Sequence, residues 1–192
     1  MRRSVRLLGC VLLSMVLTAC WGGKGREEPK MDMQQAGERA EEILDGTVAA
    51  IQPPVKWERD NPSQLACDNG LNRPIGATSV YRGRTILTVV SARRRGELLE
   101  MVRRYWKQQG FGDFEIDSDS HMPQIRATSA DGLVAILDVG DIGNVFLTAG
   151  FSCAKDSEMT YPRDTPGVSG SSVETDGLPR KYSAHWSETA PH

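Results

Sequence analysis

Residues 86–119 read "ILTVVSARRRGELLEMVRRYWKQQGFGDFEIDSD", and the change of hydrophobic period along this stretch decides the fold. Ile86, Leu87, Val89 and Val90 form a short apolar, β-branched run, which predicts a strand within "SVYRGRTILTVVS". Ser91 follows in the position of a helix N-cap. From Ala92 to Gln109 the apolar residues Leu98, Leu99, Val102, Tyr105 and Trp106 recur every three to four positions, so one stripe of a helix is buried. Gly110 then stands where a left-handed residue ends a helix. The period next falls to two, with Phe114 and Ile116 on one face and Asp113, Glu115, Asp117 and Asp119 on the other.

Downstream, "QIRATS" turns through Ala130-Asp131-Gly132 into "LVAILDV", a hairpin signal, and "GDIGN" leads to "VFLTAGFSC". Connections this short make neighbouring strands antiparallel. Upstream, Ala36, Ala40, Ile43, Leu44, Val48 and Ile51 mark an amphipathic helix over Met31 to Ile51, weakened at Gly46 and ended by Pro53-Pro54. The stretch "KWERDNPSQLACDNGLNRPIGA" is rich in turn formers and reads as a loop, with Trp57 at one edge of the core. The expected fold is therefore α+β: a two-layer sandwich, two helices packed on one face of a mostly antiparallel sheet of about four to five strands, in a single domain over residues 32–154. Residues 155–192 are rich in Ser, Thr, Pro, Gly and charge and are expected to form a disordered tail, with Tyr182 and Trp186 as stray aromatics in preference to a short docking patch.

The first residues follow a different logic. Arg2, Arg3 and Arg6 precede an apolar run from Leu7 to Ala19, too short for a transmembrane helix and of the length of a signal h-region. Leu17-Thr18-Ala19-Cys20 resembles the lipobox of bacterial lipoproteins, and the resemblance implies that residues 1–19 are a signal peptide and that Cys20 becomes the lipidated N-terminus. Two acyl chains give stable anchoring where one gives marginal binding, at about 0.8 kcal/mol per buried methylene. Residues 20–31 are glycine-rich and charged and read as a flexible tether; its Trp21 to Lys30 portion reaches at most ~35 Å. The expected location is the extracytoplasmic face of a cell membrane.

Of the four cysteines, Cys10 belongs to the signal and Cys20 to the anchor, which leaves Cys67 and Cys153 to pair in an oxidising compartment. Neither belongs to a C-x-x-C motif or has a histidine nearby, which argues against zinc or redox chemistry. The lipobox, the first helix running into "AAIQPPVKW", the segment "ILTVVSARRRGELLEMVRRYWKQQGF" and a last strand ending at Cys153 together resemble small actinobacterial lipoproteins of uncharacterised function. That family implies no active-site residues.

The formal charge of −2 steers the chain toward no nucleic acid. Local charge is more informative. Arg93, Arg94, Arg95, Arg103, Arg104 and Lys107 make the second helix basic away from its apolar stripe, so Arg93, Arg94, Arg103, Arg104 and Lys107 are candidate contacts for anionic lipid headgroups, an anionic envelope polymer or an acidic protein partner. A solvated helix face is the alternative. Asp117, Asp119 and His121 stand close in sequence, but the calcium-loop pattern lacks its glycine and distal glutamate, and no G-x-S-x-G elbow or glycine-rich phosphate loop is present. No metal or cofactor is expected. The function these observations favour is a lipid-anchored, non-catalytic binding or interaction module; the rival is a wall- or lipid-directed hydrolase with an unconventional site around Asp117, Asp119 and His121.

Overall fold

A computed structural model describes residues 29–169, 171 and 177–187. The expected signal peptide, Cys20 and most of the tether lie outside the described residues. Helix α1 (Met33–Ala50) opens on a capping box: the Asp32 side chain accepts from the Gln35 N–H at 2.9 Å, and the Gln35 side chain accepts from the Asp32 N–H at 3.1 Å. Three strands follow, β1 (Trp57–Arg59), β2 (Ser63–Asp68) and β3 (Pro74–Ile86); then come α2 (Ala92–Gln108), β4 (Phe111–Asp117), β5 (Gln124–Ser129), β6 (Val134–Val139) and β7 (Val145–Lys155). All strand pairs are antiparallel, in the order β1-β3-β7-β6-β5-β4, with β2 also paired to β3.

The α+β class stands, and the strand count is corrected from four or five to seven. The two added strands lie in the stretch read as a loop. There β1 is three residues long and β2 is exposed except at Cys67, so neither has an apolar period to betray it. The long β3 holds both along one edge.

Both helices cover one face of the sheet. Cross-strand register aligns Ile86, Val145 and Val139 in one row, Arg84, Leu147, Leu137, Ile125 and Ile116 in a second, and Arg82, Ala149, Ala135 and Ala127 in a third. All of these but Ile116 are buried, and α1 lies on the β3–β7 side while α2 lies on the β4–β5 side. The helices meet where Gly46 lets them: a Cβ there would sit 1.8 Å from the Tyr105 hydroxyl. Next to this crossing the Trp106 indole N–H donates to the Thr47 hydroxyl at 2.9 Å, and that hydroxyl donates to the Ile43 carbonyl at 2.6 Å. The Cys67–Cys153 disulfide ties β2 to β7, which do not pair with each other.

Two described stretches of the segment expected as a disordered tail pack on the body. Residues 157–165 run as a strap over α1: the Gln34 side-chain amide donates to the Thr160 hydroxyl at 2.9 Å and accepts from the Thr160 N–H at 2.7 Å. Further on, Trp186 is fully buried, with its indole N–H donating to the Pro53 carbonyl at 2.7 Å, and its carbonyl accepting from the Ser91 N–H at 2.8 Å. These segments have no core of their own and are ordered by the surface they cover, which local composition does not report. Among the described residues no helix is long and apolar enough to cross a membrane.

Candidate functional site

The basic helix predicted from sequence divides by position. Arg93, Arg104 and Lys107 are exposed, while Arg94 and Arg103 pair with carboxylates three residues away, at 2.8 Å to Glu97 and 3.0 Å to Glu100. Hydrogen bonding to Arg103, with the charges of Arg103 and Arg104 behind it, holds Glu100 below the ordinary glutamate range. The outer face of α2 thus mixes signs. A uniform basic patch is not what a partner meets there.

Arg95, expected away from the apolar stripe, is corrected: it lies on the stripe, three and four residues before Leu98 and Leu99. It is 5% exposed, and its guanidinium donates to the His121 carbonyl in the β4–β5 loop and, at 2.8 Å, to the Asp141 carbonyl in the β6–β7 loop. Its Nε is buried without a hydrogen-bond partner, and among the described residues no carboxylate pairs with it. A buried cation without a paired anion is expensive to keep.

Arg95 lines a cleft of about 370 Å³ between α2 and the end of the β4–β5 hairpin. One wall is α2 from Ala92 to Arg103, a run of about 16 Å at helical rise. The floor is apolar: Leu99, Pro123, Ile125 and Ile116, the last 50% exposed although it shares a row with the buried core. β4, which carries Ile116, is the free edge strand of the sheet. Gly96 lies in the α2 wall, and a Cβ there would meet nothing within 4 Å, so the glycine widens the cleft without making room for any neighbouring atom. Ser118, Asp119 and Ser120 form the rim.

The carboxylates of the acidic stretch at that rim are turned toward their own loop. Asp119 accepts from the backbone N–H groups of His121 at 2.7 Å and Met122 at 2.8 Å, and these bonds, Met122 first, depress its pKa. The His121 ring contacts the Ser120 hydroxyl at 3.0 Å through Nδ1, but Asp119 holds the backbone of His121 and not its imidazole. Asp117 accepts from the Asp119 N–H at 3.0 Å, so this carboxylate too serves the turn. Among the described residues no group of three His, Cys, Asp or Glu is placed to hold a metal ion.

A second charged region was missed by the sequence reading. Arg82 and Arg84 point into the core face of β3, and Arg59 stands directly across from Arg84 on β1. Like charges in that position repel. Glu41 and Asp45, one turn apart on α1, resolve the conflict: Glu41 bonds both Arg59 and Arg84, and Asp45 accepts from Arg84 at 2.6 Å. The strap adds Asp164, 2.9 Å from Arg59, and the Tyr161 ring, 5.0 Å from the Arg82 guanidinium. Burial lowers the Arg82 pKa; at Arg59 burial acts the same way but is outweighed by Asp164, Glu41 and Asp45, which raise it. Each of these arginines has a carboxylate within reach, so this cluster reads as architecture. The readable signal was the parity of Arg82 and Arg84 with Val80 and Ile86, set against the i, i+4 pair of acids on α1.

A solved structure described as a DUF4853 family protein from Actinomyces odontolyticus is similar at 11% sequence identity and a TM-score of 0.46, over 80% of this chain and 86% of that one. No family model matches the sequence, and no curated protein does.

Proposed function

We propose that this chain is an envelope lipoprotein, anchored through acyl chains on Cys20 to the extracytoplasmic face of the cell membrane, whose body is a non-catalytic binding module with its ligand seat in the α2 cleft. The observation that carries the reading is that cleft: a half-exposed continuation of the core row, opened further by a helical glycine and walled by a buried arginine that lacks a carboxylate. Its volume falls within the ~300–1,000 Å³ of small-molecule sites. The placement suits a tethered protein. Asp32 bridges to Lys155 at one end of the sheet, whereas residues 118–120 lie at the far end of β4, so the cleft has a mouth away from the point where the tether joins.

Two measurements test this. Cys20→Ser is expected to release the protein from the membrane fraction, and the intact mass of the native form is expected to begin at a diacylated Cys20; an unmodified thiol removes the anchor. Native mass spectrometry of the anchored protein from its own membranes is expected to reveal a bound molecule that Gly96→Met loses. A partner retained equally by both forms removes the cleft from the reading.

A further inference from the structure

The cleft's chemistry narrows the class of ligand, on the premise that the cleft is the seat proposed above. We infer that it takes a single-chain anionic amphiphile, an aliphatic chain ending in a carboxylate or phosphate, with the head at the Ala92–Arg95 end and the chain along Leu99, Ile116 and Ile125. Three independent features converge on that orientation. The first is the α2 N-terminus at Ala92: this 17-residue helix has no acidic residue in its first turn, and its Ser91 N-cap makes no side-chain capping bond, so neither compensates the positive end of the helix dipole. The second is Arg95 itself, nine-tenths buried, with its Nε unpartnered and no carboxylate beside it. The third is the apolar floor, which begins one turn further along the helix and continues for the length of the cleft.

The two carboxylates that line the cleft are each engaged by donors of their own. Asp119 is turned into its own loop by two backbone N–H groups, and Glu100 is held by Arg103 with Arg104 one turn on. Because Glu100 has both cations near it, Arg103 can turn to a ligand without leaving the carboxylate unpaired. A neutral chain would leave Arg95 as it stands, and a cationic head at the Ala92–Arg95 end would add a like charge beside a buried cation.

Titration calorimetry on the full chain carrying Cys20→Ser, with dodecanoate, dodecyl phosphate and dodecyltrimethylammonium as probes, tests the inference. One or both anions are expected to bind, and the pair distinguishes a carboxylate from a phosphate seat; the cation is expected to bind at least about tenfold more weakly. Gly96→Met, which places a side chain in open cleft space, is expected to abolish binding with the unfolding temperature retained, and the half-exposed Arg103→Gln to weaken it severalfold. Equal binding of the cation, still blocked by Gly96→Met, overturns the anionic class and leaves the cleft as a binding site. Anion binding that Gly96→Met leaves intact overturns both. No binding of either anion, with a membrane-derived molecule still lost from Gly96→Met, overturns only the ligand class.

Discussion

One row of side chains crosses the whole sheet, from Arg59 and Arg84 through Leu147, Leu137 and Ile125 to Ile116, and its two ends treat buried arginine in opposite ways. At the β1–β3 end, Arg84 is 1% exposed and is held by Glu41 and Asp45, with a strap closed over its neighbour. At the β4 end, Arg95 is almost as buried, bonds only backbone carbonyls and borders open space. Burial alone therefore does not distinguish a structural charge from a functional one. The counter-ion separates the two arginines: Arg84 is neutralised by Glu41 and Asp45, whereas among the described residues no carboxylate pairs with Arg95, and the proposed ligand seat rests on that difference.

The largest effect expected from this contrast is at the satisfied end. Arg84→Met leaves Glu41 and Asp45 facing a half-vacated site and is expected to lower stability by about 3 kcal/mol in urea unfolding, and adding Glu41→Leu is expected to lower it further, because Glu41 is also the carboxylate 3.5 Å from the buried Arg82. Arg95→Met removes two bonds to loop carbonyls but strands no carboxylate, so the expected loss is about 2 kcal/mol. Equal losses at the two positions would break the distinction.

The strap gives a smaller and more local test. Tyr161→Leu removes the aromatic cover from Arg82 and is expected to cost about 1 kcal/mol, with faster amide exchange over residues 157–165 and no change in the cleft. Hydrogen bonding to Arg59 holds Asp164 below the ordinary aspartate value. A folded-state pKa that is depressed contributes stability that is complete above the unfolded value and is lost as pH falls through the folded one. Asp60 has the opposite sign, since burial raises its pKa and the cost of its charge disappears on acidification. Strap exchange is thus expected to rise as the pH drops into the acidic carboxylate range, and Asp164→Asn to show that faster exchange already at neutral pH.

The elements that bury a stripe of their own were legible. Helix α2 begins at Ala92 as its period predicts, Gly110 takes a positive φ of 84° at its end, and Gly132 takes 92° in the Asp-Gly hairpin. What local sequence could not convey is pairing imposed from elsewhere. The strands β1 and β2, the strap and Trp186 are ordered by β3, α1 and the β3–α2 loop and carry no period of their own. The site was legible only in part for the same reason. Clustered basic residues named the right helix, yet Arg95 was grouped with Arg93, Arg94, Arg103, Arg104 and Lys107 although it stands three and four residues before Leu98 and Leu99, on the buried stripe; what the spacing could not supply is the two loop carbonyls, far along the chain, that hold it there. The half-exposure of Ile116 was hidden too, because alternation places a residue on a face without saying whether that face is covered.

Gly96 brings the comparison to its smallest expected effect and its sharpest sign. At the crossing of the helices, Gly46 is required by contact, since a Cβ there collides with Tyr105; at Gly96 a Cβ meets nothing. Nothing in the folded state therefore repays the conformational entropy that a mid-helix glycine loses, and Gly96→Ala is expected to raise stability by about 0.5–1 kcal/mol. Thermal unfolding checks this. If alanine stabilises the helix while reducing amphiphile affinity, the residue that best suits the fold is not the one that best suits the cleft, and the glycine is explained by what the cleft holds. If alanine destabilises, an unseen neighbour occupies that space, and the difference between the two ends of the sheet loses its functional meaning.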